Sequence, residues 1–240
     1  MMRKNCPKRG LLAAALILLA VVLACGIYGA DYYRAEESAQ VWLSSDTVRI
    51  SEDRIVFLPE EAETGLTFYP GGKVEFTAYV PLMARLAEQN VLCVLLKMPM
   101  NLAVLDADAA DGIPEAFPEV ENWYLAGHSL GGSMAASFAG KQQDVYDGVI
   151  LLAAYSTEDL TETGLKVCSL YGDRDGVLNL EKYRQYRSNL PEDTVEVVLE
   201  GGNHAGFGSY GHQEGDGISS LEPGAQILWT AETILDFMKN

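Results

Sequence analysis

The stretch Gly127-His128-Ser129-Leu130-Gly131 constrains this chain more than any other feature, because its flanks fix what must surround it. Residues 122–126 (Asn-Trp-Tyr-Leu-Ala) read as a short buried strand, and residues 130–140 read as a helix rich in small side chains. A serine in G-x-S-x-G between such a strand and such a helix sits on a sharp turn that lifts its hydroxyl above the strand end. The backbone bends so tightly there that a Cβ at position 127 or 131 would crowd the neighbouring strand and helix. In a chain with this much Gly and Ser the bare pentapeptide is weak; its placement between strand and helix makes it informative.

Around that turn the chain alternates strand and helix. Short strands are expected at 47–50 and 54–58, then a strand at 65–69 and a helix at 75–89, where Tyr79, Leu82, Met83 and Leu86 recur at helical spacing. Residues 91–97 and 148–154 are nearly continuous apolar runs, as strands covered on both faces would be. Strands at 166–171 and 194–199 follow, with a helix at 181–188 between them. A last helix at 225–238 has Ile227, Leu228, Ala231, Ile234, Leu235 and Met238 on its apolar face. This alternation predicts an α/β fold with a mostly parallel, doubly wound sheet. Only about ten residues separate the 148–154 and 166–171 strands, so no lid domain is expected between them.

The amino terminus is different. Gly10 to Ala30 is a run of 21 residues without a charge, long enough as a helix to span about 30 Å of hydrocarbon. Arg3, Lys4, Lys8 and Arg9 precede it, which predicts a cytoplasmic tail (1–9), a single transmembrane anchor (10–30), a juxtamembrane segment (31–46) with a helix at 32–43, and an extracytoplasmic domain (47–240). No small-x-small cleavage site follows the run; the alternative is a lipoprotein, with Val22-Leu23-Ala24-Cys25 as a loose lipobox anchored at Cys25. All 34 acidic residues but only 13 of the 17 basic ones lie beyond residue 30, leaving that part with a net charge of −21. Such a surface repels phosphate backbones and argues against nucleic acid as a partner. Cys93 and Cys168 lie in apolar strand-like runs with no metal-site spacing. The calcium-like run Asp106 to Gly112 is off register with a calcium-binding loop, and no nucleotide fingerprint is present.

A serine hydroxyl needs a base to become a nucleophile, and the chain has three histidines. His128 adjoins Ser129, and its ring is expected to point away from the base position. His204 follows the last strand, on a loop at the strand's carboxyl end where open α/β sheets place their sites. It is preferred over His212, which lies on the same loop. For the carboxylate that orients the base, Asp175 at the end of Gly172-Asp173-Arg174-Asp175 is preferred over Asp173, which is left to cap the turn or pair with Arg174. The oxyanion formed on attack needs two N–H donors. Leu130 at the helix start supplies one; the loop Tyr69-Pro70-Gly71-Gly72-Lys73 supplies the other, from Gly72 with Lys73 as the alternative.

The Phe68 to Val74 stretch, the Met98 to Ala103 segment, the Gly127 to Gly132 elbow and the run from Gly202 to Gly211 together resemble a family of membrane-anchored bacterial α/β-hydrolases. That group is lidless, related to the dienelactone hydrolases and labelled carboxymethylenebutenolidase-like. The resemblance covers roughly residues 31–240 and implies a Ser129, Asp175, His204 triad with no metal or organic cofactor. Dienelactone hydrolases proper use a cysteine nucleophile, so the departure at Ser129 keeps that label from being carried over as an activity. The expectation is an esterase-like serine hydrolase acting on a small-molecule or acyl substrate. The alternative is a catalytically idle hydrolase fold that serves as a binding module at the cell surface.

Overall fold

The computed structural model describes residues 7–239, without the side chains of residues 7–9, 11, 21, 22, 24, 25 and 27. The chain divides after Tyr32 into two units. The first holds helix α1 (Pro7–Ala30), whose described leucines, such as Leu12, Leu16 and Leu23, are exposed. Among the described residues no helix is long and apolar enough to cross a membrane. The basic tail at Arg3 and Lys4 and the side chain of Cys25 lie outside the described residues.

The second unit is built on one eight-stranded sheet. Its strands are β1 (Val48–Ile50), β2 (Arg54–Phe57), β3 (Thr64–Tyr69), β4 (Val91–Leu96), β5 (Asn122–His128), β6 (Gly148–Leu152), β7 (Lys166–Gly172) and β8 (Val195–Leu199). Helices α2 (Val80–Ala87), α3 (Ile113–Ala116), α4 (Leu130–Lys141), α5 (Leu180–Gln185) and α6 (Ala225–Lys239) complete it, with several 3₁₀ turns. The strand order is β1-β2-β4-β3-β5-β6-β7-β8. β2 runs antiparallel to β1 and β4, and the pairings from β4 to β8 are parallel.

The apolar runs form strands because both faces of the sheet are covered. Val91, Cys93 and Leu95 pack on the side of α2 and α6, while Leu92, Val94 and Leu96 pack on the side of α4. α4 can approach the sheet closely because Ala135, Ala136 and Ala139 line its inner face. The segment 153–165 between β6 and β7 contains neither helix nor strand, in keeping with the short connection expected there.

Two sequence expectations change. Residues 32–43 are not one helix: Glu75 N–H donates to Tyr33 O, Tyr33 N–H reaches Lys73 O, and Glu36 N–H reaches Ser209 O, so only Glu37–Ser44 closes as 3₁₀ helix. The pairing with loops far along the chain takes the hydrogen bonds a helix start would need. In α6, Leu228 is exposed, whereas Thr230 and Gln226 are buried. Thr230 Oγ1 donates to Gln226 O within the helix, which satisfies a hydroxyl on the inner face.

Both central loops at the sheet's carboxyl edge come from neighbouring strands. After β3 the chain crosses to β4 on one side, and after β5 it crosses to β6 on the other. The ends of β3 and β5 therefore flank the point where the strand order reverses, the position at which open α/β sheets leave a crevice.

Candidate active site

Ser129 joins β5 to α4 with φ 53° and ψ −121°, a conformation that costs a non-glycine residue about 1–3 kcal/mol. Its hydroxyl makes no capping bond to the helix it opens. The surrounding glycines explain how the strain is held. A Cβ on Gly131 would stand 2.3 Å from both Tyr69 O and Pro70 O, and one on Gly127 would stand 2.6 Å from the Gly131 carbonyl. The backbones of β3, β5 and α4 thus meet with no room for side chains, and the turn cannot relax without separating them.

That close approach also brings the two residues expected to donate to an oxyanion, Leu130 and Gly72, against each other. Leu130 is the first residue of α4, so its N–H has no partner within the helix. In the loop after β3, Gly71 N–H donates to Tyr79 Oη at 3.1 Å and Lys73 N–H donates to Asn101 O at 2.8 Å. The amide of Lys73, the alternative oxyanion donor, is thus committed to a backbone carbonyl. Gly72, between them, packs against Leu130, where an added Cβ would lie 3.1 Å from Leu130 Cδ2.

His204 and Asp175 are joined directly. His204 Nδ1 and Asp175 Oδ2 are 2.8 Å apart, with side-chain exposures of 2% and 1%. Asp175 Oδ1 accepts the N–H groups of Val177 and Leu178 at 2.8 and 2.7 Å, so both carboxylate oxygens are occupied. Asp173, expected to cap its own turn or pair with Arg174, instead accepts Gly201 N–H from the loop after β8 at 2.7 Å. His212 is exposed and lines a groove of about 330 Å³ with Glu36, Ser209 and Ile218, a groove that Ser129 does not border. A hydrogen bond between Ser129 and His204 is not among those the described residues form.

His128 corrects an expectation. Its ring does not point away from the base: the His128 and His204 ring centroids are 4.5 Å apart. The reason is the strand's period of two, which carries Tyr124, Ala126 and then His128 onto the face shared with Phe207 of the base loop. Burial, reinforced by the neighbouring His204, holds the His128 pKa well below the usual imidazole value. Cys93 and Cys168 are buried and free, and burial raises both thiols, Cys168 to about 12, so neither is a competing nucleophile.

Two residues that support the His204 loop, Asp216 and Gln226, carried no signal in the motif reading, whereas Asn203 lies within the run already singled out. Asp216 Oδ1 accepts N–H groups from Gly176, His204 and Gly217, and its Oδ2 accepts Ala205 N–H at 2.8 Å. One carboxylate therefore ties the acid loop to the base loop. Gln226 of α6 grips Asn203 twice, accepting its N–H at 3.0 Å and donating to its C=O at 2.7 Å. Asn203 in turn donates to Gly217 O and accepts Gly206 N–H. The available clue was Gly215-Asp216-Gly217, a carboxylate between two glycines. A Cβ on Gly217 would fall 1.8 Å from Arg174 O, so the loop must be glycine to lie against the acid turn.

The fold has counterparts among solved structures. Dienelactone hydrolase from Anabaena variabilis overlays with a TM-score of 0.59 at 13% identity, covering 80% of this chain and 98% of its own. Est1E from Butyrivibrio proteoclasticus overlays with a TM-score of 0.56 at 15% identity, covering 80% and 96%. A membrane phospholipase A described as a bacterial virulence factor overlays with a TM-score of 0.59 at 14% identity, covering 97% and 98%. At these identities the likeness establishes the fold. No curated protein matches the sequence. The family model described as the Alpha/beta hydrolase family matches residues 65–227, more than half of the chain, and its span runs from the start of β3 through the elbow and both loops of the acid–base pair into α6. This chain therefore belongs to the alpha/beta hydrolase family.

Proposed function

We propose that the protein is a serine hydrolase that cleaves an ester or related acyl bond through Ser129, His204 and Asp175. The observation that carries this reading is the buried 2.8 Å contact between His204 Nδ1 and Asp175 Oδ2, on loops packed against the strained Ser129 elbow. Asp175 fixes the tautomer that leaves His204 Nε2 as the acceptor of the serine proton. Ser129 Oγ then attacks the acyl carbon, and the Leu130 and Gly72 N–H groups stabilise the tetrahedral oxyanion. The imidazolium returns its proton to the leaving alcohol. Water, deprotonated by the same ring, releases the acid and regenerates Ser129. No metal or organic cofactor is needed for these steps.

The same proposal places the hydrolase unit outside the cytoplasmic membrane, held by the uncharged run at 10–30. The overlay with the membrane phospholipase A covers 97% of this chain, more than the unit beginning at Tyr33 supplies, so it takes in part of α1. A fluorophosphonate probe should label the protein on Ser129, and Ser129→Ala should lose both labelling and ester hydrolysis. A folded protein that resists the probe and turns over no acyl ester would instead point to a binding module. Protease added to intact spheroplasts should remove the hydrolase unit and leave a small membrane fragment; full protection would reverse the topology.

A further inference from the structure

Beneath the elbow lies a buried polar chain that the mechanism above does not use. Tyr79, at the end of the 3₁₀ turn Phe76–Tyr79, and His128 are both fully buried. Tyr79 Oη lies 2.7 Å from His128 Nδ1 and accepts Gly71 N–H at 3.1 Å. A phenol has one proton. With Gly71 N–H on one lone pair, the arrangement that satisfies Oη and Nδ1 together sends that proton to Nδ1 and makes His128 the Nε2–H tautomer. Burial keeps the imidazole of His128 and the phenol of Tyr79 uncharged. His128 Nε2 is buried beside the His204 backbone and forms no hydrogen bond of good geometry among the described residues. A buried imidazole with one end so poorly paired opposes stability, so packing alone does not account for a histidine here.

The other end of this chain is the loop after β3. Three consecutive N–H groups lie there: Gly71 is held inward by Tyr79, Lys73 is held by Asn101 O, and Gly72 stands between two fixed peptides beside Leu130. We infer that Tyr79 and His128 are positioning residues for the oxyanion hole, holding the Gly71 peptide so that the Gly72 N–H keeps the orientation that meets a developing oxyanion. The site accepts no bulk in place of this contact, since a Cβ on Gly71 would lie 2.7 Å from both Tyr79 Oη and His128 Nδ1. This inference rests on the serine-hydrolase reading.

The test compares wild type, Tyr79→Phe and Ser129→Ala in the full-length protein, using a short-chain acyl ester as substrate and an arylboronic acid as tetrahedral inhibitor. Losing an oxyanion donor outright costs about 100- to 1000-fold in kcat; a donor left in place but loosened should cost about tenfold. Tyr79→Phe is expected to keep KM within about twofold, lower kcat about tenfold and weaken boronate inhibition by the same factor, because the lost contact acts on the transition state. A purely packing role would lower the thermal midpoint and leave kcat and the boronate constant unchanged. That result in a folded variant overturns the inference. If Tyr79→Phe does not fold, His128→Phe, which removes Nδ1 and keeps a ring, must show the same split. Hydrolysis retained by Ser129→Ala would overturn the serine-hydrolase reading itself.

Discussion

Exchanging Asp175 for Asn changes one atom and reverses the logic of the base. In the native site, Asp175 Oδ1 accepts two backbone N–H groups, from Val177 at 2.8 Å and Leu178 at 2.7 Å, and Oδ2 faces His204 Nδ1 at 2.8 Å. Those two donors dictate how the Asn amide sits. Its oxygen must replace Oδ1, since an NH₂ there would confront both N–H groups and leave each unpaired at about 1–3 kcal/mol. The NH₂ then faces Nδ1, which must offer a lone pair, so the ring proton moves to Nε2. An imidazole protonated on Nε2 cannot accept the Ser129 proton. The fold and substrate binding survive, while kcat is expected to fall about ten-thousandfold, about 5.5 kcal/mol, as the equivalent change does in a serine protease triad. Steady-state hydrolysis and the second-order rate of fluorophosphonate labelling should drop together, with circular dichroism confirming the fold. Asp173→Asn is the control: its oxygen still accepts Gly201 N–H, and activity should stay within about threefold. A folded Asp175→Asn variant within tenfold of wild type, or the larger loss at Asp173, refutes the argument.

Three more outcomes are expected. Ser129→Gly should abolish activity yet raise the thermal midpoint by about 2–4 °C, because glycine relieves about 1 kcal/mol of strain at φ 53°; calorimetry showing a lower midpoint would remove the strain argument. His128 has its folded pKa lowered, first by burial and then by His204. Below the ordinary imidazole pKa of 6.5 the unfolded chain gains a proton that the folded chain refuses, so this contribution is present above that pH and is lost as pH falls, at up to about 1.4 kcal/mol per unit. Urea midpoints at pH 7.5 and 5.5 should differ more for wild type than for His128→Gln, and equal differences would contradict the buried neutral ring. Asp216→Ala strips an acceptor from four backbone N–H groups; in this half-buried loop the cost should be about 2–4 kcal/mol, seen as a midpoint about 5–10 °C lower, and an unchanged midpoint would show that water replaces the carboxylate fully.

What could be read without coordinates was local. The strands at 91–96 and 148–152 are legible because a run of apolar residues has no other stable home than a sheet covered on both faces. Ser129 is legible because the glycines that permit its turn sit two residues away on either side, and Asp175 and His204 because each follows a strand end within a few residues. Everything that selects among neighbours depends on groups distant in sequence. The Lys73 N–H is taken by an acceptor at Asn101, beyond β4, and the helix expected at 32–43 is broken by partners at 73–75 and 209. The His128 ring meets His204, 76 positions further on, and Asp216 secures loops whose bonded N–H groups lie as far back as Gly176. A sequence thus determines where the backbone must bend and which faces must be buried, since those follow from sterics and periodicity over a few residues. Which N–H is left for a reacting oxygen, and which carboxylate holds the loops, is decided only by tertiary structure, because a hydrogen-bonding group is committed by whichever partner the folded chain brings within 3 Å.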